Sequence, residues 1–571
     1  MTAPARRQET GREAKETRET RETREAKETR EETQETRETR EATVREAKEA
    51  KEAKEAKEAK AAKKAKEAKE ATVRDAARSA SRHSLAALLA LARFEARGLL
   101  LRLPVVLALA GYTAWIVWRT LQPWDDYPVL QDADRATQGG PLFVGLAALL
   151  CANQAVLRSR RHDTERHLGV LVLPRAHRTA AHALSVVPLA LLTAAGVAAQ
   201  FTWEALKPGA LGRGSAAELL TGPLVVLLFG AIGVLLARLV PSAVAAPLLV
   251  VVSFLLFVGA GFPFTGETGA VWTAPLAAGA GTHSYPSGLL GRPAGWHDLY
   301  LAGLTLTAVL LAVLLSGTRA RTVRAALAAA LTLTVLGGVV QTGGVPAVTT
   351  AARLRASLTP EKDQTCVRRG TATYCAFPEW TPRVGDWART VERVQSLTGG
   401  TAHGRPLLVR QRLDARRGLL DDAALAPSRH PRQVTVGTAW GGNRVPEFST
   451  AVAAVLVAGD EKTASELCDG RMVTVMWLSL AWQTDPESAL RHVRLDDSLT
   501  GSAIVLSPTE PLRMTAGQTE VVRALLHKPV TGVAVRVKAH WAELTSPKIT
   551  TARAAELLGV PAEVGADRCA Q

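Results

Sequence analysis

The sequence predicts an all-α polytopic membrane bundle of about seven transmembrane helices, followed by a helix-rich α+β domain outside the membrane. Three observations carry that prediction. Seven apolar stretches of about 20 residues, the length that crosses ~30 Å of hydrocarbon, lie between Leu103 and Val345. Basic residues fall on every second loop between them. Four of the 5 cysteines follow the last stretch. The mean hydropathy of +0.05 hides this pattern, because it averages a charged start, an apolar middle and a mixed end.

The first 83 residues are a charged, low-complexity arm of ETR and EAK triplets, such as Glu16-Thr17-Arg18 and Glu19-Thr20-Arg21. They carry no apolar stripe, so they have no core to build. Arg at i faces Glu at i+4, which favours helix, while Glu at i faces Glu at i+3, which opposes it. The expectation is a solvated arm, disordered or partly helical. Residues 84–101 read SLAALLALARFEARGLLL. Leu85, Leu88, Leu89 and Ala92 share a face that Arg93, Glu95 and Arg97 interrupt, which predicts an amphipathic helix lying in the membrane interface.

The spans follow at about residues 103–121, 141–157, 182–203, 219–239, 243–264, 299–316 and 325–345. The first six fall in a membrane domain over 102–317, and the seventh lies in 318–347. No secretory leader precedes the first apolar run, so the first span is expected to target the chain. The loop after the second span carries Arg158, Arg160, Arg161, Arg166, Arg175 and Arg178. The turn after the fourth has Arg238, and the link after the sixth has Arg319, Arg321 and Arg324. The loop after the first span carries Asp125, Asp126, Asp132 and Asp134 against Arg135 alone. Basic loops stay in the cytoplasm. The N-terminus is then cytoplasmic in a plasma-membrane protein, and an odd number of spans puts the C-terminal domain outside. Trp118, Trp124, Trp203, Trp296 and Tyr300 fall at the predicted outer ends, where amphipathic rings anchor. The same rule accounts for much of the net charge of +16, so no nucleic-acid partner is expected.

Residues 348–571 read as a folded extracytoplasmic domain. Strand-like runs occupy 406–413 and 433–440, and helical runs occupy 447–459, 461–483 and 517–526. The apolar run 472–482 is too short to span and reads as a buried core helix. Cys366 and Cys375, nine apart in CVRRGTATYC, suit a hairpin clasp, and Cys468 with Cys569 is the preferred second pair. An oxidising exterior would preserve both bonds. No pair of Cys or His has zinc-ligand spacing, so no metal is expected. His540 and Glu543 form an HxxE without the rest of a zinc-peptidase motif, and no GxSxG stands near a triad. The domain is therefore expected to be non-catalytic, with no cofactor and no enzyme activity in this chain.

The cores of the spans hold almost no ionisable groups, unlike ion-coupled carriers. No GxxxxGK[ST] run cradles a nucleotide either. The loop RSRRHDTERHLGVLVLPRAHRTAAH, between the second and third spans, resembles that of ABC-2 type permeases, the membrane subunits of ATP-binding-cassette transporters. The matching features are Arg161, Asp163, Thr164, Glu165, Leu173-Pro174, Arg178-Thr179 and His182. ARLVPSAVAAPLL and GLLGRPAGWHDLYLAGL are similar to the fourth-to-fifth hairpin and the entry into span six of actinobacterial members. The resemblance covers about residues 84–317. It implies a six-span permease half that forms a homodimer or pairs with a second permease, with ATP on a separate ABC ATPase subunit. The ATPase-coupling loop would comprise Arg160, Arg161, Asp163, Thr164, Glu165 and Leu168. The seventh span and the large outer domain depart from that family. A membrane-anchored sensor or scaffold presenting a non-catalytic outer domain is the alternative reading, and an outer-surface hydrolase is a further one.

Overall fold

The computed structural model describes residues 9–121, 127–161, 174–260, 274, 284–416, 425–494 and 502–561. It divides into two compact units, Met1–Ala87 and Leu88–Gln571. Helix α1 runs over Glu9–Leu100. In its charged part the ion pairs Arg21–Glu25, Arg37–Glu41 and Arg45–Glu49 stand at i,i+4, with N···O separations of 3.5–3.9 Å. All six side chains are at least 70% exposed, so each pair adds only a few tenths of a kcal/mol. The arm is thus helical along its described length, beyond the partial helix expected from its charge spacing.

In the second unit, α2 (Leu103–Thr120), α3 (Leu130–Ala136), α4 (Gly139–Arg161), α5 (Arg175–Leu184), α6 (Val187–Ala205) and α7 (Ala216–Leu239) come first. They are followed by α8 (Ala245–Ala260), α9 (Ala294–Leu315) and α10 (Arg321–Gln341). Six segments among the described residues are long and apolar enough to cross a bilayer: Leu103–Thr120, Leu130–Arg158, Arg175–Ala205, Ala216–Leu239, Ala294–Leu315 and Arg321–Gln341. The fifth expected span falls on α8, which has 16 residues and stays below that length. Its expected end, at 261–264, lies outside the described residues.

Helix directions follow from which termini meet. The first turn of α7 touches the entry of α9 through Glu218–Arg292 (2.8 Å) and Thr221–Asp298 (3.1 Å). The last turn of α9 reaches α5 through Ser316–Thr179 (2.6 Å), and α5 also packs on α7. Helices α7 and α9 therefore run parallel. Small residues set the spacing. A Cβ on Gly233 would stand 2.4 Å from the Leu149 carbonyl oxygen, and one on Gly337 would stand 2.7 Å from the Tyr300 amide nitrogen. Both glycines let backbones approach as side chains would not allow. Inside the bundle, Asn153 Nδ2 donates to the Gly233 carbonyl at 3.2 Å.

After α11 (Ala347–Leu358) the chain enters the C-terminal domain. Strands β1 (Thr365–Arg369) and β2 (Ala372–Ala376) form an antiparallel hairpin with Cys366 opposite Cys375. Helix α12 (Val384–Leu397) leads to β3 (Leu408–Gln411), and β4 (Gln433–Val436) follows. Strand β3 pairs parallel with both β2 and β4, in the order β1-β2-β3-β4. The expectation of strands at 406–413 and 433–440 is met in shortened form, and the parallel pairing adds an α/β element to the α+β domain. Helix α13 (Arg444–Ala458) packs on β4, and α14 (Arg471–Leu480) packs on α13. The expected helix over 461–483 is split before Gly470, where a Cβ would meet the Thr550 carbonyl oxygen at 2.4 Å. Every residue from Met472 to Leu480 is buried, as a core helix requires. A second hairpin, β5 (Ser502–Val505) and β6 (Leu512–Thr515), leads into α15 (Ala516–Leu526) with a Thr515/Gln518 capping box.

Candidate functional site

Two polar assemblies close the two ends of the bundle. At the arginine-rich end, the last turns of α1 pack on α5 through Leu88, Ala92 and Ala181. The buried face of α1 comprises Leu88, Ala92, Glu95, Ala96 and Leu99, while Leu89 is exposed. Leu88 and Ala92 of the expected apolar face lie on this buried side. Glu95 belongs to it because the carboxylate has partners there: it is paired with Arg158 at the end of α4 and stands 3.9 Å from His182 of α5. Arg102 ties the start of α2 to α4, donating to the Cys151 carbonyl at 2.9 Å. The two helices that flank the basic loop, α4 and α5, are thus each held against α1.

That loop carries the sequence-predicted coupling residues. Arg160 and Arg161 close α4, and their side chains lie outside the described residues. Asp163, Thr164, Glu165 and Leu168 lie wholly outside them.

The opposite end is where the C-terminal domain sits. Val129 and Leu211 form a short parallel bridge between the loops after α2 and α6. Both residues, with Tyr285 and Leu289, belong to the same buried core as Tyr374, Trp380 and Trp387 of the domain. Polar contacts follow the same line. Gln131 donates to the Tyr285 carbonyl (2.6 Å) and to Glu379 (3.2 Å), and its Oε1 accepts from the Arg213 amide (3.1 Å). Glu379 also accepts from the amide and hydroxyl of Ser287. Arg353 donates to the carbonyls of Leu289 (2.7 Å) and Leu290 (2.9 Å). Arg383 donates to the carbonyls of Tyr127 and Gly209.

Below this seam lies a buried charged group that the sequence reading passed over. Glu218 pairs with Arg292 and accepts from Gln138, and Asp134 accepts from the Ser215 amide at 2.7 Å. Asp134 and Glu218 are 1% and 4% exposed. Asp134, Glu218 and Asp298 each stand just before an apolar run, where they read as solvated flanks. The available signal was their repetition: three of the runs that begin at this end are preceded by a carboxylate.

In the C-terminal domain Cys366 and Cys375 are disulfide-bonded, as expected. Cys468 is also disulfide-bonded, and Cys569 lies outside the described residues. Cys151 is free and buried in α4. Glu543 bonds to Arg553 at 2.7 Å, which holds its carboxyl below the usual range. It therefore serves an exposed ion pair with Arg553. Among the described residues no group of three or more His, Cys, Asp or Glu could hold a metal ion.

No family model, no curated protein and no solved structure matches the chain.

Proposed function

We propose that the chain is the membrane permease subunit of an ABC-2 type exporter, dimeric and driven by a separate ATPase. The observation that carries this reading is the clasp at the arginine-rich end. Glu95 joins the helix before the first span to α4 through Arg158, and Leu88 and Ala92 of that helix pack on Ala181 of α5, so both stems of the basic loop are tied to it. A subunit pressing on that loop would therefore move α1, α4 and α5 together, and through Arg102 the start of α2 as well. The loop's arginines favour the cytoplasm for this end, where ATP is available. The disulfides of the opposite domain suit an oxidising exterior. Seven crossings fit this arrangement, with α8 lying between the parallel helices α7 and α9 in the chain.

A second reading has one specific observation in its favour. The outer domain shares its core with the loops of the bundle, as a sensor would need if an event at the domain were to reach the membrane. The same shared core weighs against a bundle that merely anchors the domain, since an unrelated span would not supply Val129, Leu211, Tyr285 and Leu289.

The test is purification of the full chain from its native membrane in mild detergent. The exporter reading expects an ATP-hydrolysing subunit in stoichiometric amount, lost from the double variant R161A/E165A and kept by E543A. Full retention by R161A/E165A would refute the coupling assignment. Absence of any nucleotide hydrolase from the wild-type preparation would favour the sensor.

A further inference from the structure

The last turns of α1 give one side to the bundle and leave the other uncovered. Leu88, Ala92, Glu95, Ala96 and Leu99 are buried. On the other side Leu89, Arg93, Arg97 and Leu101 are all exposed, and they follow one another at i,i+4. That spacing stacks them in a single ridge along the helix, with Leu101 just past its end. Phe94 borders the ridge at 65% exposure, and two turns further on Leu101 is 81% exposed. Large apolar side chains left this open mark a surface that meets something other than water.

The charges on this side are of one sign. Between Leu88 and Arg102 the sole carboxylate is Glu95, which is buried and paired with Arg158. Arg102 is engaged by the bundle through the Cys151 carbonyl. Arg93 and Arg97 have no ion pair among the described residues. The exposed apolar side chains run on from Leu101 into Leu103, Val106 and Leu107 of α2. Helix α2 is long and apolar enough to cross a bilayer, and only 11% of it is buried inside the protein. Its open surface therefore meets hydrocarbon in a membrane, and the ridge just before it stands where acyl chains give way to headgroups.

An arginine at that depth lays its stem along apolar groups and turns its donors to the polar boundary. Its planar fork matches the oxygens of a phosphate. An anionic phospholipid supplies both partners that this side lacks, a phosphate for the arginines and acyl chains for Phe94 and Leu101. We propose that Arg93 and Arg97, flanked by Phe94 and Leu101, bind the headgroup phosphate of an anionic phospholipid. The lipid would lie against the uncovered side of α1 while Glu95 holds the covered side to α4. Its binding would brace the helix that is clasped to the stems of the basic loop, so lipid composition would set how firmly that clasp is held. The proposal needs a membrane and no ATPase, so it stands or falls separately from the exporter reading.

The test uses the detergent-purified full chain, with native mass spectrometry to count bound lipids and thermal unfolding to read their effect. The probes are phosphatidylglycerol, phosphatidylcholine with the same acyl chains, and sodium phosphate. The expected result is saturable binding of phosphatidylglycerol in preference to phosphatidylcholine, with a rise in Tm. Each basic residue near an anionic surface contributes about fivefold, so R93Q and R97Q should each weaken binding about fivefold and R93Q/R97Q about thirtyfold. R321Q/R324Q removes the same charge from exposed arginines of α10 and is expected to bind as the wild type does. All four side chains are exposed, so an unchanged Tm in phosphatidylcholine shows that each variant folds. Equal binding of the two lipids by the wild type would overturn the proposal. Equal loss in the two double variants would also overturn it, since net charge alone would then explain the binding. So would a rise in Tm with sodium phosphate as large as with phosphatidylglycerol, because free phosphate would then suffice.

Discussion

A charge at the end of an apolar helix is cheap when water reaches it and costly when it does not. Glu95 and Glu218 are both buried, at 6% and 4% exposure, and each is answered by arginine. Glu218 has Arg292 at 2.8 Å with both side chains nearly covered, so removing one partner strands the other. The expected cost of E218Q is about 3 kcal/mol, from the behaviour of broken buried pairs. The double variant E218Q/R292M should recover part of it. Thermal unfolding in detergent measures both, and a loss no larger for E218Q than for the exposed pair variant E543Q would contradict the assignment. These residues were the hardest to read in the sequence. Periodicity excludes a charge from a buried helical face unless its partner is known, and Arg158 is 63 positions from Glu95. The positive flanks differ in that the orientation expected from them needs no partner to be stated.

Among elements, six of the seven expected spans were legible because a bilayer demands about 20 apolar residues whatever the neighbours. The short strands were less so. Strands of four residues such as β3 and β4 are too brief to display a period, and their parallel pairing depends on partners far along the chain. The β1–β2 hairpin was readable because its cysteines sit opposite each other across a tight turn at Gly370, which has φ +56. The contact of α9 with α10 was not readable, since it rests on Gly303 and Gly337 lying against backbone. Replacing Gly337 with Leu should force those helices apart and cost about 2 kcal/mol, in the range of overpacked cores. The comparison with G288L, at a glycine with open space around it, controls for composition. Equal Tm for the two variants would mean that close approach at Gly337 does not matter.

Taken whole, the second unit joins a helical bundle to a domain that cannot be separated from it cleanly. The domain's core includes four residues from bundle loops, two of them more than 130 positions ahead of α11. A soluble fragment beginning at Ala347 should therefore expose apolar surface and lose cooperative unfolding, even with Cys366 and Cys375 joined. A fragment that melts as sharply as the full chain would show the shared core to be dispensable. The C-terminal end of α1 and the domain sit at opposite ends of the bundle, since Glu95 and Arg102 contact the C-terminal half of α4, while Gln131 and Glu379 meet at the other end. Everything proposed about docking, disulfides and direction of transport depends on which of those ends faces the cytoplasm. Lysines report it directly, because Lys362, Lys538 and Lys548 are exposed on the domain and Lys48, Lys51 and Lys54 are exposed on the arm. Intact cells treated with a membrane-impermeant amine reagent should label the first three, with the arm lysines labelled only after permeabilisation. Labelling of the arm and protection of the domain in intact cells would contradict the account.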